Sequence, residues 1–193
     1  MPIVSEAVVT TADEPIHQGD IFRDVKYSYI DSEDESNVNI IEYQFPMAII
    51  ISQACDVAFM DSIITNSAGK PSKFMPSILL CPIYERDVAK SGNHLKTAFD
   101  ILSLTFNEEV IFVKHDLKIA EKNWHYRLHN LSIKYNGKDV ISNAAIDFKH
   151  YFTVPITYLI KNKNNRLFRL DDIYAEQVTQ KFSNFLSRIA TPD

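Results

Sequence analysis

The chain has 193 residues, a formal net charge of −5 and a hydrophobic share of 46%. This suits one domain with a sizeable core and argues against a broad phosphate-binding surface, which needs clustered Lys and Arg. Two cysteines in separate apolar segments imply no disulfide scaffold but a reduced, cytoplasmic protein with buried thiols. No apolar run approaches a membrane span, and residues 1–20 show acids and no basic leader, so neither membrane nor export is expected.

In chain order, residues 1–15 read as weakly ordered, with Val8-Val9 as a short edge strand. His17-Gln18-Gly19-Asp20-Ile21-Phe22 reads as a turn entering a strand, continued by Lys26–Ile30. Asp31–Asn37 is an acidic loop, and Val38–Tyr43 a further strand. Phe45-Pro46-Met47-Ala48-Ile49-Ile50-Ile51-Ser52-Gln53-Ala54-Cys55-Asp56 follows. Its apolar run predicts a central buried strand over 46–52, turned at its end by Gln53–Asp56. Ser77–Ile83 is a second buried strand and a natural neighbour of the first, with Cys81 in the core. Leu95, Ala98, Phe99, Leu102 and Phe106 have helical spacing, which predicts a helix near 94–106 capped by Ser91 or Asn93. Val110–Val113 is a short apolar run of either type. Trp124–His129 alternates like a strand.

Asn136-Gly137 between two β-type runs predicts a two-residue type I′ hairpin. The register would pair Tyr135 with Lys138, Lys134 with Asp139 and Ile133 with Val140. Residues 146–154 read as one more strand and 161–166 as a polar loop. Ile173, Tyr174, Val178, Phe182, Phe185, Leu186 and Ile189 mark one apolar stripe of a helix over 171–189, capped by Asp171 or Asp172.

The chemistry-bearing residue types gather at the end of the central strand. Ser52, Cys55 and Asp56 are the candidate catalytic residues, with Gln53 beside them as a binding residue. A thiol nucleophile needs a base that lowers its pKa, and no local pattern places a histidine next to Cys55. Arg166 and Arg169, with Lys161, Lys163, Arg127 and Lys134, are candidate phosphate contacts. Arg188 is a candidate partner for Asp56. His125 and His129 share a face, but no Cys-x-x-Cys or His-Glu-x-x-His spacing is present, so no metal or other cofactor is expected.

Two resemblances rest on these residues. Gly19-Asp20-Ile21-Phe22 followed by Pro46–Ser52 resembles the opening of MazF/PemK-type toxins. This implies a small SH3-like barrel and metal-independent RNA cleavage, although Phe45 stands where that family places its phosphate-binding arginine. Ser52-Gln53-Ala54-Cys55-Asp56 with Phe182…Phe185…Arg188-Ile189…Pro192 is similar to uncharacterised bacterial proteins that share both elements.

The expected architecture is a single α+β domain, 1–193. A small SH3-like antiparallel β-barrel core over 16–160 is elaborated by a β-hairpin and flanked by two or more helices, the inserted one near 94–106 and the last at 171–189. The expected function is a MazF/PemK-like accessory or binding module of a bacterial toxin–antitoxin or phage-defence system. It would bind RNA, DNA or a protein partner, the latter through the C-terminal helix. The alternatives are a metal-independent endoribonuclease, a Cys-dependent hydrolase and a structural oligomerisation subunit.

Overall fold

The computed structural model describes residues 3–8, 10–33, 37–66, 74–101, 105 and 125–187. Over these residues the chain is mixed α+β, with an eight-stranded, mostly antiparallel sheet. The strands are β1 (Ile3–Val8), β2 (Asp20–Glu33), β3 (Val38–Ile50), β4 (Ser77–Glu85), β5 (Leu128–Tyr135), β6 (Lys138–Asp147), β7 (Phe152–Pro155) and β8 (Arg166–Leu170). Five helices are described: α1 (Ala54–Asn66), α2 (Arg86–Ser91), α3 (Lys96–Ile101), α4 (Ile156–Lys161) and α5 (Asp172–Leu186). None is long and apolar enough to cross a membrane.

The apolar runs of β3 and β4 explain the layering. Ile49, Ile51, Cys81 and Ile83 face one cluster, which also takes Ile21, Ile133, Ile146 and Leu170. Ala48, Ile50, Ile78 and Leu80 face another, with Phe22, Val57, Met60, Phe152 and Leu159. Successive strand residues point to opposite sides, so strands apolar at every position must be covered on both. Ala175, Val178 and Phe182 of α5 join the first cluster, and Val57 and Met60 of α1 with Leu159 of α4 join the second. Ile49 opposes Cys81 in the β3–β4 register.

The order β3-β2-β8-β1-β5-β6-β4 returns on itself, because β4 also pairs with β3. Beyond this closed sheet β2 and β3 continue as a two-stranded ribbon. β8 pairs β2 only at Asp20–Phe22, and β4 pairs β3 only at Met47–Ile50, while β2 and β3 pair from Ile21↔Ile49 out to Glu33↔Val38. Pro46, which has no N–H to give, marks the exit. Asp24, in the stretch of β2 opposite it, takes φ 53.

Several predicted elements are corrected. β1 is an interior strand, parallel to β5 and antiparallel to β8. It sits in the ladder because Arg166 and Arg169 clamp the segment that follows it. Arg166 donates to the carbonyls of Pro15, Thr11 and Glu14. Both arginines hold Asp20, Arg166 Nη1 at 3.0 Å and Arg169 Nε at 2.7 Å. The hairpin turns at Asn136 (φ 50) and Gly137 (φ 74) as the dipeptide predicts, and Lys134↔Asp139 and Tyr135↔Lys138 hold. Ile133, however, opposes Ile141 rather than Val140. A bulge there turns Ile141 into the core and leaves Val140 at the surface.

The helix predicted near 94–106 is divided. Gly92 (φ 78) ends α2, a 3-10 turn follows at Asn93–Leu95, and α3 runs to Ile101. Ser91 closes α2, donating to Val88 O at 3.1 Å, and its hydroxyl also accepts from Asn93 N at 3.5 Å at the start of the 3-10 turn rather than at the start of α3. Residues 102–104, 106–124 and 188–193 lie outside the described residues, and with them Phe106, Val110–Val113, Trp124 and the Arg188 end of the last helix. α5 starts as expected, with the Asp171 carboxylate accepting from Ile173 N at 3.1 Å. Its stripe is narrower than predicted, since Ile173 and Leu186 are exposed.

Candidate functional site

The strand expected over 146–154 breaks at Asp147, and the break builds the site. The Asp147 carboxylate accepts from Lys149 N at 3.0 Å and caps the 3-10 turn Phe148–His150. β7 resumes at Phe152. Asp147 is fully buried. A buried carboxylate needs a partner, and Arg127 supplies one, with Nε 2.8 Å from Oδ1 and Nη2 2.6 Å from Oδ2. His94, carried in by the 3-10 turn after Gly92, places Nε2 2.9 Å from the same Oδ2. His150 places Nδ1 3.8 Å from it and 3.2 Å from the Tyr84 hydroxyl.

The surroundings set the charges. Burial alone would raise the Asp147 pKa, but the hydrogen bonds from Arg127 and His94 outweigh it and hold the carboxyl well below its usual range. Burial pushes His150 down to about 4, although the Asp147 charge pulls the other way. Burial, then the Asp147 charge, pushes the Tyr84 phenol up. Among ionisable side chains, groups shifted this way in a cleft are functional candidates. Here the cleft exists. His94, His150 and Tyr84 line a pocket of about 380 Å³ whose other walls include Tyr43, Phe45 and Phe152.

One face of the β2–β3 ribbon feeds this pocket. Tyr27 and Tyr29 on β2 share a face with Tyr43 and Phe45 on β3, because Tyr27 opposes Tyr43. Tyr29 and Tyr43 stack at 6.2 Å, Tyr43 and Phe45 at 6.3 Å, and Phe45 and Phe152 at 4.4 Å between ring centroids. Tyr84 and His94 follow at 4.6 Å, then His94 and His150 at 5.2 Å. Both sets of rings line the same pocket, the first reaching it from the ribbon and the second lying beside the buried carboxylate. The ligand-type atoms of His94, Asp147 and His150 all lie within 4.8 Å of one another, so these three residues could hold a metal ion.

The residues singled out from the sequence lie elsewhere. Ser52 Oγ accepts from Leu79 N at 2.9 Å, which extends the β3–β4 ladder by one bond. Gln53, Cys55 and Asp56 are exposed at the start of α1, and Cys55 Sγ is 3.8 Å from Asp56 Oδ1. The predicted turn is the first turn of a helix, since Asp56 N and Val57 N both donate to Gln53 O. Arg166 and Arg169 are directed at Asp20 and the carbonyls already described. Lys163 pairs with Asp61 at 2.8 Å. Burial pushes the Cys81 thiol well up. Arg188 is outside the described residues. The strand end does meet α5, through Thr179, whose hydroxyl donates to Ile51 O at 3.4 Å and accepts from Gln18 Nε2 at 2.5 Å.

Sequence reasoning missed His94, Asp147 and His150 as a group, and Tyr84 with them. Asp147 and His150 share one turn at i and i+3, but His94 comes from a second turn and Tyr84 from β4, so no spacing rule links the four. One signal was available: Asp147 is an acid within the apolar run Ala144-Ala145-Ile146-Asp147-Phe148, where a charge needs a buried partner.

The fold and site define an α+β protein with a closed sheet and an imidazole–carboxylate cluster beneath an aromatic pocket. No family model matches the chain, and no curated protein matches it.

Proposed function

We propose that the protein is a MazF/PemK-like accessory module of a bacterial toxin–antitoxin or phage-defence system, built on an elaborated SH3-like barrel, that binds a single-stranded nucleic acid. The observation that carries this reading is the aromatic wall Tyr29–Tyr43–Phe45–Phe152, which ends at the pocket holding His94 and His150. Bases stack on such platforms whatever their sequence. The closed strand pairing supports the barrel, and Phe45 shifts the emphasis from phosphate to base. With a net charge of −5, affinity rests on a few stacked bases rather than on a tracked backbone, so its salt dependence is shallow.

Fluorescence anisotropy with labelled RNA and DNA oligonucleotides tests this. Binding is expected for single strands and not for duplexes. Tyr43→Ala and Phe45→Ala should each weaken it about tenfold, the size of one lost base stack. No binding of either single strand, or binding indifferent to both substitutions, removes the reading.

A further inference from the structure

We propose that His94, Asp147 and His150 form a site for a divalent transition-metal ion, zinc foremost, at the floor of the aromatic pocket. Three arguments from geometry support it. First, both His94 nitrogens face acceptors, Nδ1 the Val88 carbonyl at 3.4 Å and Nε2 the Asp147 carboxylate at 2.9 Å. A neutral imidazole has a single N–H. With that proton on Nε2 it donates to Asp147 and leaves the Nδ1 lone pair against the Val88 carbonyl; with it on Nδ1 the Nε2 lone pair meets a carboxylate lone pair, a contact that a cation between them turns from repulsive to attractive. A histidine whose second nitrogen meets a backbone carbonyl is the usual arrangement of a metal ligand.

Second, a proton on His94 accounts for one contact only. His150 Nδ1 also lies 3.8 Å from Asp147 Oδ2, too long for a hydrogen bond, and its hydrogen-bond contact is the Tyr84 hydroxyl. A tetrahedral zinc ion with bonds of about 2.1 Å spaces its ligand atoms about 3.4 Å apart. The observed 2.9 and 3.8 Å bracket that spacing. Third, the ligand set leaves an open position. His94 and His150 line the pocket, and the Tyr84 hydroxyl sits 3.2 Å from His150 Nδ1. Three protein ligands plus a position for water or a bound group is the open type of zinc site.

Arg127 remains on the carboxylate. Oδ2 has two lone-pair directions, so it can accept from Arg127 Nη2 and hold an ion at once. The guanidinium charge weakens the pull on a dication. Two imidazoles and one carboxylate favour zinc, cobalt and nickel over magnesium and calcium.

The full chain, stripped of metal with a chelator, is titrated with zinc against a chromophoric competitor, and separately with cobalt(II) while the visible spectrum is recorded. One ion per chain is expected, with the intense visible absorption of four-coordinate cobalt. His150→Ala and His94→Ala should each lose that uptake and that absorption. The His150 side chain is 24% exposed, so its variant should keep a cooperative thermal transition and decide the matter even if the His94 variant does not fold. Substoichiometric zinc uptake by the wild-type chain, a cobalt spectrum that remains that of the aquo ion, or uptake unchanged in His150→Ala overturns the site. Metal binding is read without any nucleic acid, so the site and the proposed function fail separately.

Discussion

His129 shows how a single side chain sets a pH limit. It is buried on β5, its Nδ1 has no hydrogen-bond partner among the described residues, and Phe148 lies against it. Burial, helped by the Lys181 charge from α5, lowers its pKa from 6.5 to about 3. Between those values the unfolded chain takes up a proton that the folded chain refuses. This contribution is therefore fully present above 6.5 and is lost as the pH falls toward 3. Thermal unfolding followed from pH 7.5 to 4 should show Tm falling with pH, and His129→Gln should flatten that slope. Equal slopes in the two proteins would mean that other groups set the acid limit. Asp20 gives a second prediction at this scale. It is fully buried between Arg166 and Arg169, so Asp20→Asn leaves a buried guanidinium without its counter-charge. A cost of about 3–5 kcal/mol is expected in urea unfolding, and a cost below about 1 kcal/mol would show that the carbonyl contacts alone satisfy the arginines.

Two glycines separate turn strain from packing at the level of whole elements. Gly19 has φ 82, and a Cβ there would come within 2.7 Å of Ala175 Cβ on α5. Gly137 has φ 74 and open space around it. Gly137→Ala should cost about 1 kcal/mol of backbone strain. Gly19→Ala should cost roughly 2–4 kcal/mol, because α5 must also move off the sheet. Equal costs would mean that α5 yields freely. Elements whose pattern and turn chemistry agree were legible in the sequence: the Asn136-Gly137 hairpin, the neighbouring apolar runs of β3 and β4 (although β3 joins the strands expected over 38–43 and 46–52 into one), and α5 with its Asp171 cap. Those decided by distant partners were not. β1 takes an interior place because Arg166 and Arg169 fix the segment after it, and 146–154 splits because Arg127 draws in Asp147. The candidate site was illegible for the same reason, since its members gain their meaning from partners up to 66 residues away.

Across the whole molecule, the ladder that encloses the core joins the two ends of the described chain. Ile3–Glu6 lie beside Leu131–Lys134, and Ala7 and Val8 beside Leu170 and Arg169. The sheet therefore cannot close until residue 170 has left the ribosome, and until then β1 and β2 both carry open edges. Pairings this remote in sequence are entropically slow to form, so refolding in milliseconds to seconds is expected from stopped-flow fluorescence. A chain stopped after Asn165 lacks β8 and leaves those edges permanently unpaired. It should associate into β-rich aggregates in proportion to its concentration while the full chain stays dispersed. During synthesis the nascent chain thus waits in a form that other strands can join, so its yield in the cell depends on what shields those edges until β8 arrives.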